Sequence, residues 1–135
     1  MRTYVLDANA LLTLIESKPD QTKVNSLLKE ALRGHSEVLM SSVNYAEVYA
    51  LLLRRYGKDS ALHTMSAIRP LPIRLLEGTT QMCFRAAEVK TTYKLYYVDA
   101  FAAALAIEYK ATLVTSDADF KKLGHDFPIL WLRTN

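Results

Sequence analysis

The chain has 135 residues, of which half are hydrophobic and 23% charged, and its formal net charge is +3. This composition excludes a disordered chain, and the length suits one domain over residues 1–135; the mild positive charge permits a polyanionic partner without requiring one. Cys83 is the only cysteine, which excludes an intrachain disulfide and a cysteine-rich zinc site, while the lack of a signal-peptide pattern or of an apolar run near the ~20 residues of a membrane span predicts a cytoplasmic location and no membrane partner.

Tyr4, Val5 and Leu6 form an apolar run that stops at Asp7, the pattern of a buried strand delivering a carboxylate to its C-terminal tip. Ala8 to Glu16 reads as a short helix, broken by Lys18-Pro19-Asp20 because proline cannot continue a helix interior. Asp20 is a candidate N-cap for a second helix with Val24, Leu27, Leu28, Ala31 and Leu32 on one stripe, ended by Gly34. Val38 to Met40 is a second strand. Ser41 or Ser42 can cap a helix from Val43 to Tyr56, where Gly57 interrupts. Asp59 or Ser60 is expected to cap the next helix, toward Arg69, and Ile73 to Leu76 form a third strand. Pro70 and Pro72 put that strand at an edge, because proline cannot donate to a ladder.

Gly78-Thr79-Thr80 opens a helix through Tyr93, and Val98 to Tyr109 forms another whose alanines allow close approach to a sheet. Thr112 to Thr115 is a fourth strand, Asp117 to Leu123 a short helix or turn closed by Gly124, and Ile129 to Trp131 a fifth strand. Strands alternating with helices predict an α/β fold: a three-layer α/β/α sandwich around a mainly parallel, five-stranded sheet. In such sheets the ligand lies at the carboxyl ends of the strands, where strand order switches.

Asp7 and Asp117 belong at those ends, and Glu47 and Asp99 sit on helices that can face the same edge. Each has an ordinary explanation when taken singly. Asp7 suits a turn with Asn9, Asp99 an N-cap, Glu47 an exposed helix face, and Asp117 and Asp119 caps of the short helix. Asp99 argues most against the ordinary reading, since no basic side chain occurs from Leu95 to Glu108 and an unpaired charge on so apolar a helix is expensive to desolvate. Several carboxylates sharing a pocket need a cation, and a hard, oxygen-seeking ion, Mg²⁺ or Mn²⁺, answers that need. His35, His63 and His125 are too scattered for a zinc site. An acidic Mg²⁺ pocket on a parallel sheet points to phosphoryl or phosphodiester chemistry with one or two ions. No serine occupies a nucleophile elbow, and Gly34, Gly57, Gly78 and Gly124 are too isolated for a phosphate loop or a dinucleotide fingerprint.

Val5-Leu6-Asp7-Ala8-Asn9, Ser42 with Glu47, Val98-Asp99-Ala100 with the alanines after it, and Leu113-Val114-Thr115-Ser116-Asp117-Ala118-Asp119-Phe120 together resemble the PIN-domain family, and the length and order of acids resemble its VapC-type toxins of prokaryotic toxin–antitoxin pairs. The resemblance spans essentially the whole chain. It implies a metal-dependent endoribonuclease that leaves a 5′-phosphate and a 3′-hydroxyl, with Asp7, Glu47, Asp99 and Asp117 as the acidic quartet and Asn9, Thr115 and Asp119 in supporting positions. Asp7, Asp99 and Asp117 would hold the ion directly or through water, and Glu47 would ligate it or orient the attacking water. It also implies a cognate antitoxin and a homodimer.

Basic groups at Arg54, Arg55 and Lys58, at Arg85, Lys90 and Lys94, and at Lys121 and Lys122 are candidate phosphate contacts, against the alternative of solvated helix faces. Tyr45, Tyr49, Tyr56, Tyr93, Tyr96 and Tyr97 suit stacking on unpaired bases or, alternatively, core and interface packing. Two other readings of the acids are a PIN-like module that binds RNA or protein without cutting, and a HAD-like phosphatase. The phosphatase requires a second aspartate two residues after the first, where this chain has Asn9.

Overall fold

The computed structural model describes residues 1–134. In chain order the elements are β1 (Arg2–Leu6), α1 (Ala8–Ile15), α2 (Gln21–Leu32), β2 (Ser36–Ser41), α3 (Ser42–Tyr56), α4 (Lys58–Ile68), β3 (Arg74–Leu76), α5 (Thr80–Tyr93), α6 (Tyr97–Tyr109), β4 (Thr112–Thr115), a 3₁₀ helix (Ala118–Leu123) and β5 (Ile129–Trp131). The strands form one sheet in the order β3-β2-β1-β4-β5, and every neighbouring pair is parallel. The expected three-layer sandwich and the edge position of β3 are both observed. After β3 the chain returns to the other side of β1, so strand order switches between β1 and β4. The crevice beyond their carboxyl ends is therefore the place where side chains from both halves of the chain converge.

The period of two in the strands sorts their side chains onto two faces. Val5, Leu39 and Leu113 face a core closed by α5, α6 and the 3₁₀ helix, with Ala100 to Ala106, Phe120 and Leu123 in it. Leu6, Val38, Met40 and Val114 face the other core, which takes Leu11 and Leu12 from α1, Val24 and Leu28 from α2, and Val48 and Leu52 from α3. Ala102 and Ala103 of α6 are completely buried. Small side chains let this helix lie close against the sheet, and a larger residue at either position would overpack by about 1–3 kcal/mol. That close approach also brings the first turn of α6 to the crevice.

Several local expectations are corrected. Asp20 stands at the N-cap position of α2 but makes no capping bond; both of its oxygens are taken by Arg133 instead. Leu32, at the end of α2, is 74% exposed and leaves the apolar stripe. Gly57, with φ of 83°, is the N-cap residue of α4, and Asp59 lies in that helix's first turn, where its charge meets the helix dipole. The serine cap expected for α3, by contrast, is present: of the two candidates it is Ser41 that accepts the Asn44 amide.

Candidate metal centre

The centre is assembled on one chain of hydrogen bonds. β1 ends at Leu6, and Asp7 is the extended N-cap residue of α1. Its Oδ1 accepts the Ala10 amide at 2.8 Å, and its Oδ2 accepts the Thr115 hydroxyl from the end of β4 at 2.5 Å. Thr115 Oγ1 in turn accepts the Asp117 amide at 2.9 Å, and Asp117 Oδ1 accepts the Asp119 amide at 2.9 Å. Asp7 is only 3% exposed. Burial pushes its carboxyl up to about 7, against the opposing pull of the bonds from Thr115 and Ala10, and the charges of Asp99 and Asp117 push it further in the same direction.

Asp99 is the third residue of α6, two places inside the helix, whose N-cap residue is Tyr96. The N-cap explanation for this carboxylate is therefore excluded. Partial desolvation raises it to about 6, followed by repulsion from Asp117, Glu47 and Asp119, with Lys122 opposing. One carboxylate oxygen from each of Asp99, Asp117 and Asp119 lies within 4.8 Å of the others. Glu47, half-buried on α3, is raised by desolvation and by Asp117.

The acids thus form two tiers. Asp99, Asp117 and Asp119 make the tight group, and Asp7 and Glu47 stand outside it while sharing its field. Asp119, which the resemblance assigned to a supporting position, belongs to the tight group by geometry. Thr115 joins Asp7 to the Asp117 loop. At Asn9 the structure has the main-chain carbonyl accepting the Thr13 hydroxyl.

The donor set fits a hard divalent cation. All three ligand atoms are carboxylate oxygens, with no histidine or cysteine among them, and oxygens around one Mg²⁺, Mn²⁺ or Ca²⁺ ion lie no farther apart than roughly twice the ligand distance, about 4–5 Å. The repulsion that lifts Asp99 is the repulsion such a cation would relieve.

A residue that the sequence reading passed over fixes the relation between α3 and α6. Asn44 is 1% exposed. Its Nδ2 donates to the Val98 carbonyl at 2.9 Å, and its Oδ1 accepts the Ser41 hydroxyl at 2.7 Å. The bond ends one residue before Asp99 and starts one helical turn before Glu47, so it holds the two acid-bearing helices together. The available signal was an amide three residues before Glu47, on the same helix face.

Several of the basic groups already have partners. Arg55 pairs with Glu16, Arg85 with Glu108, and Lys90 lies 5.3 Å from the Tyr97 ring centre. Tyr45 and Tyr49 line an apolar groove between α3 and α4 together with Ser42, Ala46, Leu62 and Met65. Among the described residues, no helix is long and apolar enough to cross a membrane.

Residues 4–126 match the family model described as PIN domain. No curated protein matches the chain. Among solved structures it is similar to VapBC2 from Rickettsia felis bound to a DNA fragment from its promoter, with a TM-score of 0.74 and 21% identity over 95% of this chain and 97% of that one. It is also similar to VapC20 of Mycobacterium tuberculosis, a Sarcin-Ricin loop cleaving toxin, with a TM-score of 0.71 and 20% identity over 96% of this chain and 98% of that one. VapBC-1 from nontypeable Haemophilus influenzae matches with a TM-score of 0.70 and 20% identity over 96% of this chain and 97% of that one. At such identities the likeness concerns the fold.

Proposed function

Because this chain belongs to the PIN-domain family, we propose that it works as one domain with metal-dependent endoribonuclease activity, as the toxin of a VapBC-type toxin–antitoxin pair. The observation that carries the reading is the grouping of Asp99, Asp117 and Asp119 within 4.8 Å, beside a buried Asp7, at the sheet's switch point. A divalent cation of the Mg²⁺ or Mn²⁺ class, when bound there, supplies positive charge that acidifies a water and offsets the charge of a phosphodiester.

The chain's own residues do the rest. Asp99, Asp117 and Asp119 hold the cation. Asp7, pinned by Thr115 and Ala10, orients the Asp117 loop and adds negative charge behind it. Glu47, with its carboxyl raised, accepts a proton from the attacking water or orients that water. Asn44 keeps Glu47 in register with Asp99. Hydrolysis by this route leaves a 5′-phosphate and a 3′-hydroxyl.

The named relatives supply the biological setting. One is a toxin that cleaves the Sarcin-Ricin loop, and others are toxin–antitoxin complexes. For this chain the reading gives an RNA substrate, a cognate antitoxin whose apolar side chains enter the groove beside Tyr45, Tyr49, Leu62 and Met65, a homodimer, and a cytoplasmic location. The test is cleavage of total RNA by the purified, partner-free protein with Mg²⁺, with Mn²⁺ and with chelator, using DNA as a control and sequencing the new 5′ ends. Metal-dependent cuts bearing 5′-phosphates that disappear in Asp99→Asn are expected. RNA bound but left intact under every metal condition would favour a binding module instead.

A further inference from the structure

Trp131 is the only tryptophan in the chain. It is the last residue of β5, an edge strand, and it is 38% exposed. The strand register pairs it with Thr115, so its backbone lies one strand spacing, about 4.8 Å, from the residue whose hydroxyl holds Asp7. Two concavities meet at the indole. Ser116, Ala118 and Arg133 line one of them, and the first two of these flank Asp117 in sequence. His125 and Phe127 line the other, and Lys121 lines both.

We propose that this face is a subsite for one unpaired nucleotide of the RNA strand, with its base stacked on Trp131 and its phosphate met by Lys121. The assignment deepens the nuclease reading and rests on it for the strand's path across the acids. A polyanion approaching five carboxylates needs cations at the flanks of the centre. Lys121 takes part in none of the ion pairs among the described residues. Stacking on an exposed aromatic ring is how unpaired bases are commonly held, and it tolerates any base.

The surface is braced from behind. Arg133, with its side chain 67% exposed, is clamped to Asp20 through its backbone amide at 2.7 Å and its Nε at 2.8 Å. The Leu132 amide donates to the Thr115 carbonyl at 2.8 Å. Asp20 offsets the guanidinium charge, which makes Arg133 a positioning residue and leaves the phosphate to Lys121. A protein strand is the competing occupant of an open edge, but β5 has three residues and follows Pro128, a blunted edge that offers little ladder to extend.

The single indole reports on its own surface. A single-stranded oligoribonucleotide is titrated into the full-length Asp99→Asn chain in chelator, so that no strand is cut, while Trp131 emission is followed. Saturable quenching that weakens with salt is expected, with little response to a blunt RNA duplex. By anisotropy of a labelled strand, Trp131→Ala in that background should bind about tenfold more weakly and Trp131→Phe nearly as well as the parent. Lys121→Gln should flatten the salt dependence by about one phosphate contact. Unchanged emission at saturation, equal quenching by duplex, or emission that shifts with protein concentration alone overturns the subsite. If Trp131→Ala does not fold, quenching of the parent chain and the Lys121→Gln salt slope still decide. Quenching by a chain that never cuts RNA would remove the nuclease reading and keep the subsite; cutting without quenching would do the reverse.

Discussion

Thr115 and Asp7, 108 residues apart in sequence, share a hydroxyl–carboxylate bond of 2.5 Å across the boundary between β4 and β1. The same hydroxyl oxygen accepts the Asp117 amide, so one side chain couples the buried acid to the loop carrying two of the three clustered acids. Thr115→Val keeps the shape and removes the hydroxyl, leaving a buried carboxylate oxygen and an amide without their partner. We expect a loss of about 1–3 kcal/mol, read as a lower urea midpoint at unchanged slope. Thr115→Ser should recover most of it. A Thr115→Val protein as stable as the parent would mean that the bond contributes nothing net.

Asp99 is repelled by Asp117, Glu47 and Asp119. Asp99→Asn should therefore raise the melting temperature of the metal-free protein while abolishing RNA cleavage. Because the group is only half-buried, solvent screens the repulsion, and the gain should be a few degrees, the shift that about 1 kcal/mol produces in a chain of this size. Calorimetry beside a cleavage assay checks both halves, and an unchanged cleavage rate would remove Asp99 from the mechanism.

The acids also fix the sign of the pH dependence. Asp7 and Asp99 titrate at about 7 and about 6 in the folded chain, against an ordinary 3.8. Below the ordinary value both are protonated in both states. Above it the unfolded chain releases protons that the folded chain retains, so metal-free stability should fall as pH rises from about 4 to about 7. Asp20 has the opposite sign: bonds from Arg133 hold it down to about 2, so its contribution is present above 3.8 and fades as pH falls toward 2. Mg²⁺ or Mn²⁺, which bind the ionised acids of the folded state, should flatten the upper limb. Melts in chelator over a pH series, repeated with metal, test this; rising metal-free stability between pH 5 and 7 would contradict it.

Asn44→Leu takes the side-chain donor from the Val98 carbonyl and the acceptor from the Ser41 hydroxyl proton, while Ser41 still caps the residue 44 amide, and should cost about 1–3 kcal/mol. Its functional effect should be uneven. The tight acid group does not depend on α3, so Mn²⁺ affinity by calorimetry should hold, while RNA cleavage falls because Glu47 is no longer registered against Asp99. Equal losses in both would place Asn44 in general stability alone.

The order and type of the elements were legible because the strands are short apolar runs bounded by turn residues and the helices carry apolar stripes. The acids at strand ends were legible for the same reason: Asp7 stops an apolar run, and Asp117 follows one after Thr115 and Ser116. The two tiers of acids were not. Asp117 and Asp119 are two apart in sequence, and only the 3₁₀ turn, closed by the Asp119 amide on Asp117 Oδ1, brings both carboxylates toward Asp99. Asn44 carries no local mark that separates a buried bridging amide from one facing water. The Asp20–Arg133 clamp joins residues 113 apart, and neither has a neighbour in sequence that announces the other.

The three closely grouped acids all lie on one stretch of chain, α6 through the 3₁₀ helix. They become neighbours as soon as α6 docks on β4, a closure of short sequence separation, whereas Asp7 and Glu47 must arrive from the other half of the molecule. Mutual repulsion should therefore already act at the barrier to folding, before the sheet is complete. A divalent cation should accelerate refolding in stopped flow as well as retard unfolding, placing its influence on both arms of the chevron.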